Sequence, residues 1–114
     1  MLVSEGWSAI DWLKAGLNTD SIFDSTAYLD DDVKAPYIIT YDIQQNEGSD
    51  THVCMVRHEL TLYRYTVDGE ADHTIDGFLR ASGLFFRHQP PVQMETGELF
   101  EEIYDVTDDI IERR

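Results

Sequence analysis

The sequence has little cysteine, few basic residues and no long apolar run. Cys54 is the only cysteine among 114 residues, so no disulfide can form within the chain, and a reducing compartment is expected. No stretch approaches the roughly 20 consecutive apolar residues needed to span a bilayer. The opening MLVSEGWSAIDWLKAGL lacks the basic start and continuous apolar segment of a signal peptide. We therefore expect a soluble protein that stays in the cell that makes it.

The scarcity of basic residues excludes whole classes of partner. Eight Lys and Arg stand against 23 Asp and Glu, which gives a net charge of −15. Binding to nucleic acid or to an anionic membrane surface needs a basic patch, so neither is expected. The charge is concentrated at the ends, because residues 1–35 and residues 97–114 each hold seven acids and two bases, and together carry ten of the fifteen net negative charges. Basic proteins, cations or a surface that repels DNA remain possible roles.

What is present is enough apolar material for one folded unit. Hydrophobic residues make up 42% of the chain and aromatic residues 11%, which excludes disorder by composition. We predict a single domain over residues 1–114. Residues 1–35 would form an N-terminal helix and an acidic loop, and residues 36–114 a sheet with a second helix.

Local patterns predict the elements. Apolar residues at helical spacing, a capping pair of Ser8 and Asp11, and an exit at residues 16–18 indicate a first helix, and a long acidic loop follows it. A second helix is predicted over residues 70–82, with Gly83 as the left-handed residue after it. The run YIITYDI alternates with period two, which places Tyr37, Ile39, Tyr41 and Ile43 on one face of a strand.

The remaining strands follow from similar signals. A long strand over residues 51–66 would bury Cys54 among its apolar neighbours, LFFRH reads as a short strand, and Pro90-Pro91 is expected to break it. The acidic tail is interpreted as a strand with Phe100, Tyr104, Val106 and Ile110 on one face. A helix with Leu99, Ile103, Val106 and Ile110 on one side is the alternative. The predicted fold is α+β, with a mixed or mainly antiparallel sheet of about four to five strands covered by two helices.

No motif indicates catalysis or a metal site. RHELTLYRYT begins like the zinc-protease motif H-E-x-x-H, but Leu62 stands where the second histidine is needed. His52 and His58 would lie about 20 Å apart along one strand and could not share an ion. The run LDDDV lacks calcium-loop spacing, and glycine-rich phosphate loops and serine-nucleophile motifs are missing. We predict no catalytic, metal or cofactor residues, and no enzyme.

A family resemblance covers about two thirds of the chain. The segment PYIITYDIQQNEGSDTHVCMVRHELTLYRYTVDGEADHTIDGFLRASGLFFRHQPPVQMETGELFEEIYDV joins a PY-hydrophobic strand, a polar turn, a long strand, a helix, a G-hydrophobic-x-aromatic strand and a final hairpin. It resembles the small tail-completion or tail-terminator (head–tail joining) proteins of long-tailed bacteriophages and prophages.

The resemblance implies a structural virion protein that forms a ring, commonly a hexamer, at the head-proximal end of the tail. Such a ring ends tube growth and contacts the tail-tube protein and a head-connector or head-completion protein, in the host cytoplasm during assembly and then in the virion tail. Double-stranded DNA would pass through the ring without specific binding, and no membrane is expected among the partners. Candidate subunit contacts are Tyr63, Tyr65 and Phe100, and candidate acids of the lumen are Asp30, Asp31, Asp32, Glu101 and Glu102.

Two other functions remain open from the sequence. An acidic chain of this size could be a DNA mimic that inhibits a host DNA-binding enzyme by occupying its basic groove. It could also be a neighbouring component of the head–tail connector.

Overall fold

The chain folds into seven strands and two helices in a computed structural model that describes residues 1–30, 32–49, 52–70, 72–95 and 97–114. The elements in chain order are β1 (Leu2–Val3), α1 (Ala9–Leu17), β2 (Ile22–Asp24), β3 (Tyr37–Ser49), β4 (His52–Thr66), α2 (His73–Ala81), β5 (Phe86–Gln93), β6 (Phe100–Val106) and β7 (Ile110–Arg113).

The seven strands form one mixed sheet around β4. On one side β4 pairs with β3 in a long antiparallel hairpin. On the other side the first half of β4, Met55–His58, pairs with β7, and the second half, Thr61–Thr66, pairs with β6. β5 continues the sheet beyond β6, while β1 and β2 lie parallel to β7 and β3 at the outer edges. The α+β class with a mixed sheet is therefore confirmed.

Both helices begin and end where local chemistry places them. The Ser8 hydroxyl accepts a hydrogen bond from the backbone N–H of Asp11 at the start of α1, and Asn18 closes that helix in the left-handed conformation. Asp72 caps α2, two residues later than the predicted start, and Gly83 follows that helix with φ of 75°. The predicted capping pair and both exits are confirmed.

The two helices share one core with one face of the sheet. Apolar side chains at helical spacing on α1 and α2 meet alternate side chains of the strands, because period 3.6 and period 2 each direct one set of residues inward. The buried residues of this core are Ala9, Leu13, Ile22, Ile38, Leu60, Leu62, Ile75, Leu79, Leu84, Tyr104, Val106 and Ile110.

The sheet has seven strands, so the predicted number of four to five was wrong. The extra strands are short, because β1, β2 and β7 have two, three and four residues. β1 and β2 lie within residues 1–35, which were predicted to hold only a helix and a loop. The acidic tail is also divided into β6 and β7 at residues 107–109.

Two further strand predictions are corrected. Pro90 and Pro91 do not break β5, because this strand lies at the edge of the sheet and its register shifts between Gln89 and Val92, where β6 needs no proline N–H. Cys54 is exposed, although its neighbours Val56 and Leu60 on the same face of β4 are buried. Its position lies beyond the part of β4 that the helices cover.

Candidate functional site

The sheet face opposite the helices carries a group of large apolar side chains, which we call the aromatic face. Its residues follow from the strand registers and from alternation with the buried positions Ile38 and Leu62. It holds four of the six tyrosines of the chain. The residues of the aromatic face are Phe23, Tyr37, Ile39, Tyr41, Ile43, Tyr63, Tyr65 and Ile103.

The aromatic rings of this face contact one another across the strands. Tyr37 lies opposite Tyr65 with ring centroids 5.2 Å apart, and Tyr41 meets Tyr63 edge to face at the same distance. Such pairs stabilise a sheet and fix the ring orientations. Tyr41 and Ile43 nevertheless remain 46% and 58% exposed. The face is therefore ordered and apolar, and part of it is open to a partner.

Tyr65 is held in place by a carboxylate of the neighbouring strand. Its hydroxyl donates a hydrogen bond of 2.9 Å to Glu101 of β6. Partial burial, with this hydrogen bond and the negative charge of Glu101, raises the pKa of Tyr65. The phenol therefore stays protonated and keeps one fixed orientation on the face.

Ionic contacts lie at the end of the aromatic face nearest the hairpin tip. Arg57 of β4 is 2.8 Å from Glu47 of β3 and 3.5 Å from Asp109, which precedes β7. All three side chains are at least one-third exposed, so their contribution to stability is small. Their effect is to neutralise part of the acidic charge beside the apolar residues.

On the helix side of the sheet, His58 forms a buried hydrogen-bond network beside Trp7, which precedes α1. Its Nδ1 lies 2.9 Å from Asp42 and its Nε2 lies 2.8 Å from Glu112, and the imidazole is 1% exposed. Both nitrogens can donate to carboxylates only when the ring is protonated. The other oxygen of Glu112 accepts from the backbone of Gly6 and from Arg114. This network joins β3, β4 and β7.

The bond from His58 dominates the ionisation of Glu112. Together with the Gly6 N–H and the Arg114 guanidinium, it holds the pKa of Glu112 below its usual value of 4.5 despite burial. Glu112 is thus kept as a carboxylate in a buried position.

A second network, around the buried carboxylate of Glu102, lies between β4, β5 and β6. Arg64 donates to Glu102 at 3.1 Å, and the other oxygen of Glu102 lies 2.7 Å from His88. The His88 ring stacks on Tyr104 with centroids 4.5 Å apart. Arg64 also reaches the backbone carbonyl of Glu70 before α2. Glu102 is 1% exposed, and the contacts with Arg64 and His88 compensate the burial of its carboxylate.

The buried groups of these networks are already paired with one another. The carboxylates of Glu102 and Glu112 already accept from basic side chains, and His58 is too buried to reach a substrate. A cleft of about 190 Å³ beside Arg64 has a largely apolar lining that includes Leu17, Pro36 and Ile75. An adjoining open depression of about 650 Å³ is lined by Asp68 and Asp72, whose carboxylates accept from backbone N–H groups near the start of α2. The absence of enzymatic activity stays a prediction.

The described ranges also contain no grouped metal ligands. Three or more histidine, cysteine, aspartate or glutamate side chains do not come together there in a way that could hold an ion. Neither helix of the described chain has the length and apolar character to cross a membrane.

The predicted subunit contacts do not lie on one surface. Tyr63 and Tyr65 are on the aromatic face, but Phe100 is on the opposite face, where it packs over Gly69 beside α2. That Phe100 contacts a neighbouring subunit stays a prediction. Side chains alternate along β6, so Phe100 lies on the same face of the sheet as the buried Tyr104. A shift of one residue in the strand register would have placed Phe100 on the other face.

The predicted lumen acids are likewise divided. Asp30 and Asp32 are exposed in the loop after β2, and Asp31 lies outside the described residues. Glu101 is half-buried on the aromatic face. Glu102 is buried in the second ion network, so the prediction that it lines an open lumen was wrong. Two strands, β3 and β4, separate the aspartate loop from β6.

Sequence reasoning missed the exposure of the aromatic face and the partners of His58. The run YIITYDI gave no signal for the first, because its apolar set is the one that faces away from the helices, whereas the helix-facing set is Ile38, Thr40 and Asp42. The signal for the second was a histidine between Val56 and Leu60 at a core-facing position of a strand. Comparison with known proteins adds no family, because no protein-family model and no curated protein sequence matches the chain.

Proposed function

We propose that the chain is a structural protein that assembles through its aromatic face, as a subunit of the ring that ends a phage tail tube and joins it to the head. The aromatic face carries this proposal. A sheet that presents four tyrosines and several aliphatic side chains on its uncovered side is typical of a protein that buries this surface in an assembly.

The chemistry of the face suits contact with protein. Tyrosine and isoleucine bury much apolar area, and tyrosine does so with few rotatable bonds, so ordering it costs little. The rings of Tyr37, Tyr41, Tyr63 and Tyr65 are already oriented by their neighbours. A preformed surface binds with a smaller entropic loss than a flexible one.

The resemblance over residues 36–106 gives the proposal its phage context. The partners are then further copies of the chain, the tail-tube protein and a head-connector or head-completion protein. The net charge of −15 supports a place beside the DNA path, because an acidic wall repels phosphates and does not retain passing DNA. Asp30, Asp32 and Glu101 are the candidate acids that are not buried.

The DNA-mimic alternative has less support. A mimic needs carboxylates that are free to replace phosphates in a basic groove. Asp42, Glu102 and Glu112 are instead turned inward and paired with basic side chains of the same chain. A role as a neighbouring head–tail component uses the same face and differs only in the partner that covers it.

The test is tail morphology in a phage or prophage that lacks the gene. Electron microscopy should show tubes of uncontrolled length or tails that fail to join heads. The wild-type gene and a Tyr28→Asp variant should restore normal tails, whereas a Tyr41→Asp variant should not. Tyr28 is the matched control, because it is 90% exposed and lies in the loop after β2, outside the strands that form the aromatic face. Normal tails without the gene would refute the function.

A further inference from the structure

The edges of the sheet differ in how well they are protected. β1 and β2 offer only two and three residues, and β5 carries Pro90, Pro91 and a register shift. Short strands, prolines and bulges are the features that prevent an edge from pairing with another chain. β3 is long, has no proline, and keeps a regular register with β4 from Tyr41 to Glu47, where a shift follows between Glu47 and Gly48. This stretch is left open because β2 pairs with β3 only up to Thr40.

The hydrogen bonds between β3 and the segment around β2 show which backbone groups of β3 point to this edge. Ile38 donates its N–H to Ser21, and the carbonyl of Thr40 accepts from Ser25. Backbone groups alternate between the two sides of a strand, so those of Asp42, Gln44 and Asn46 point to the same outer edge. Within the described chain, no other strand pairs with these three residues on that side. They form a row of free donors and acceptors, which we call the β3 edge.

The β3 edge lies in the least acidic part of the chain. Residues 37–66 hold four acids and two bases, a net charge of −2, which leaves −13 for the remaining residues. Two of those acids, Asp42 and Glu47, already contact His58 and Arg57. Two copies of a strongly acidic protein therefore repel each other least where these edges meet.

We propose that a second copy of the chain adds to the β3 edge, so that β3 of each protomer pairs antiparallel with β3 of its partner about a two-fold axis at Gln44. Among the described strands, the other edges are too short or are blocked by proline, so the edge there that can return the full set of hydrogen bonds is the β3 edge itself. A contact of a surface with its own copy is isologous and closes at two subunits.

The register about Gln44 avoids unfavourable pairs. Gln44 faces Gln44 of the partner subunit, and Asp42 of each protomer faces Asn46 of the partner subunit. These three residue pairs exchange two backbone hydrogen bonds each, or about six in all. On the other face Tyr41 lies opposite Glu47 of the partner subunit and Ile43 lies opposite Gln45 of the partner subunit. No two charged side chains are placed directly opposite each other.

This dimer goes beyond the proposed function and does not depend on it. A ring needs a repeated contact between different surfaces, whereas the β3 edge pairs with itself. The dimer extends the sheet sideways and leaves the aromatic face uncovered. Failure of the dimer would leave the tail experiment unaffected, and normal tails without the gene would leave the dimer experiment unaffected.

The first experiment measures the mass of the purified full chain by light scattering and sedimentation over a range of concentrations. The wild type should reach twice its 13.1 kDa. Gln44→Pro removes one N–H on the β3 edge and none from the hairpin, so it should weaken dimerisation about tenfold or more. Gln44→Ala keeps the backbone donor and should dimerise like the wild type. A wild type that stays monomeric, or equal dimerisation of the proline and alanine variants, would overturn the proposal.

A charge-swap pair tests the axis even if the proline variant fails to fold. Gln44→Lys and Gln44→Glu each place like charges opposite each other in a homodimer, so each variant alone should be mainly monomeric. A mixture of the two should form heterodimers, detected by native mass spectrometry. Circular dichroism should show both variants folded. Homodimers as stable as those of the wild type, or a mixture without heterodimers, would contradict pairing at Gln44.

Discussion

Glu112 shows how one buried carboxylate links stability to pH. Its pKa is lowered on folding, chiefly by the bond from His58, so the stability it contributes is present above its ordinary pKa of 4.5 and is lost as the pH falls towards the lower folded value. We expect Glu112→Gln to be less stable than the wild type at pH 7. We also expect it to lose less stability than the wild type as the pH falls from about 5 to about 3.

The measurement is urea unfolding at several pH values. Glu59→Gln removes the same charge from an exposed position on the same sheet and should follow the wild-type profile. If Glu112→Gln and the wild type lose stability in parallel over the acid range, the network around His58 does not control this carboxylate.

His58 contributes to stability because two carboxylates depend on it. His58→Ala removes the hydrogen-bond partner that the partly buried Asp42 and the buried Glu112 share, which should lower the free energy of unfolding by about 3 kcal/mol. The neighbouring Glu59→Ala, at an exposed position, should change it by less than about 0.5 kcal/mol. Chemical denaturation of both variants provides the comparison. Equal stabilities would show that the network contributes nothing to the fold.

At the scale of elements, the two helices touch through a glycine. A Cβ added to Gly16 of α1 would fall inside the ring of Phe78 of α2, whereas a Cβ on Gly77 meets nothing within 4 Å. Alanine is favoured over glycine in a helix by about 1 kcal/mol. We expect Gly77→Ala to be stabilising by roughly 0.5–1 kcal/mol and Gly16→Ala to be destabilising by about 2 kcal/mol, because overpacking outweighs propensity.

Thermal unfolding of the two alanine variants tests this prediction, because the midpoint temperature should rise for Gly77→Ala and fall for Gly16→Ala. The same substitution in two nine-residue helices isolates the helix contact from helix propensity. A stabilised Gly16→Ala variant would mean that the helices are not packed through this position.

The helix ends and the long hairpin could be predicted because they are encoded locally. Ser8, Asn18 and Gly83 act within one turn of their own helix. β1, β2 and β7 could not be predicted, because two to four residues carry no period and form strands only when a distant partner pairs with them. Their pairing depends on the assembled sheet.

The candidate site was predicted only in part for the same reason. Alternation put Tyr37, Ile39, Tyr41 and Ile43 on one face of β3 correctly, yet it could not indicate which face the helices cover. That choice is made by α1 and α2, which pack over Ile38 and Leu62. The division between Glu101 and Glu102 needs the register of β6 as well, because a shift of one residue exchanges the two faces.

For the whole molecule, the net charge makes assembly depend on salt. Within a ring, the acidic loop of one copy would lie near those of its neighbours, where repulsion is screened beyond about 8 Å at physiological ionic strength. Changing Asp30, Asp31 and Asp32 to Asn makes the net charge less negative, from −15 to −12. We expect this variant to fold normally, to form rings at lower salt than the wild type, and to slow DNA ejection from complete particles.

A control variant separates the position of the charge from its amount. Replacing Glu5, Glu95 and Glu98 by Gln removes the same three charges from exposed sites outside the loop. Sedimentation at graded salt and an ejection assay should distinguish the two variants. If both behave alike, the aspartate loop contributes only to the general charge and has no place at the DNA path.

The pairing of β1 with β7 has a consequence for the speed of folding. This contact joins residues more than a hundred positions apart, with Leu2 opposite Ile111, and β4 must also find β6 and β7 across α2. Chains whose contacts are distant in sequence fold slowly, on a scale of milliseconds to seconds. During synthesis the first strand has to wait until nearly the whole chain has left the ribosome, while the β3–β4 hairpin can already close.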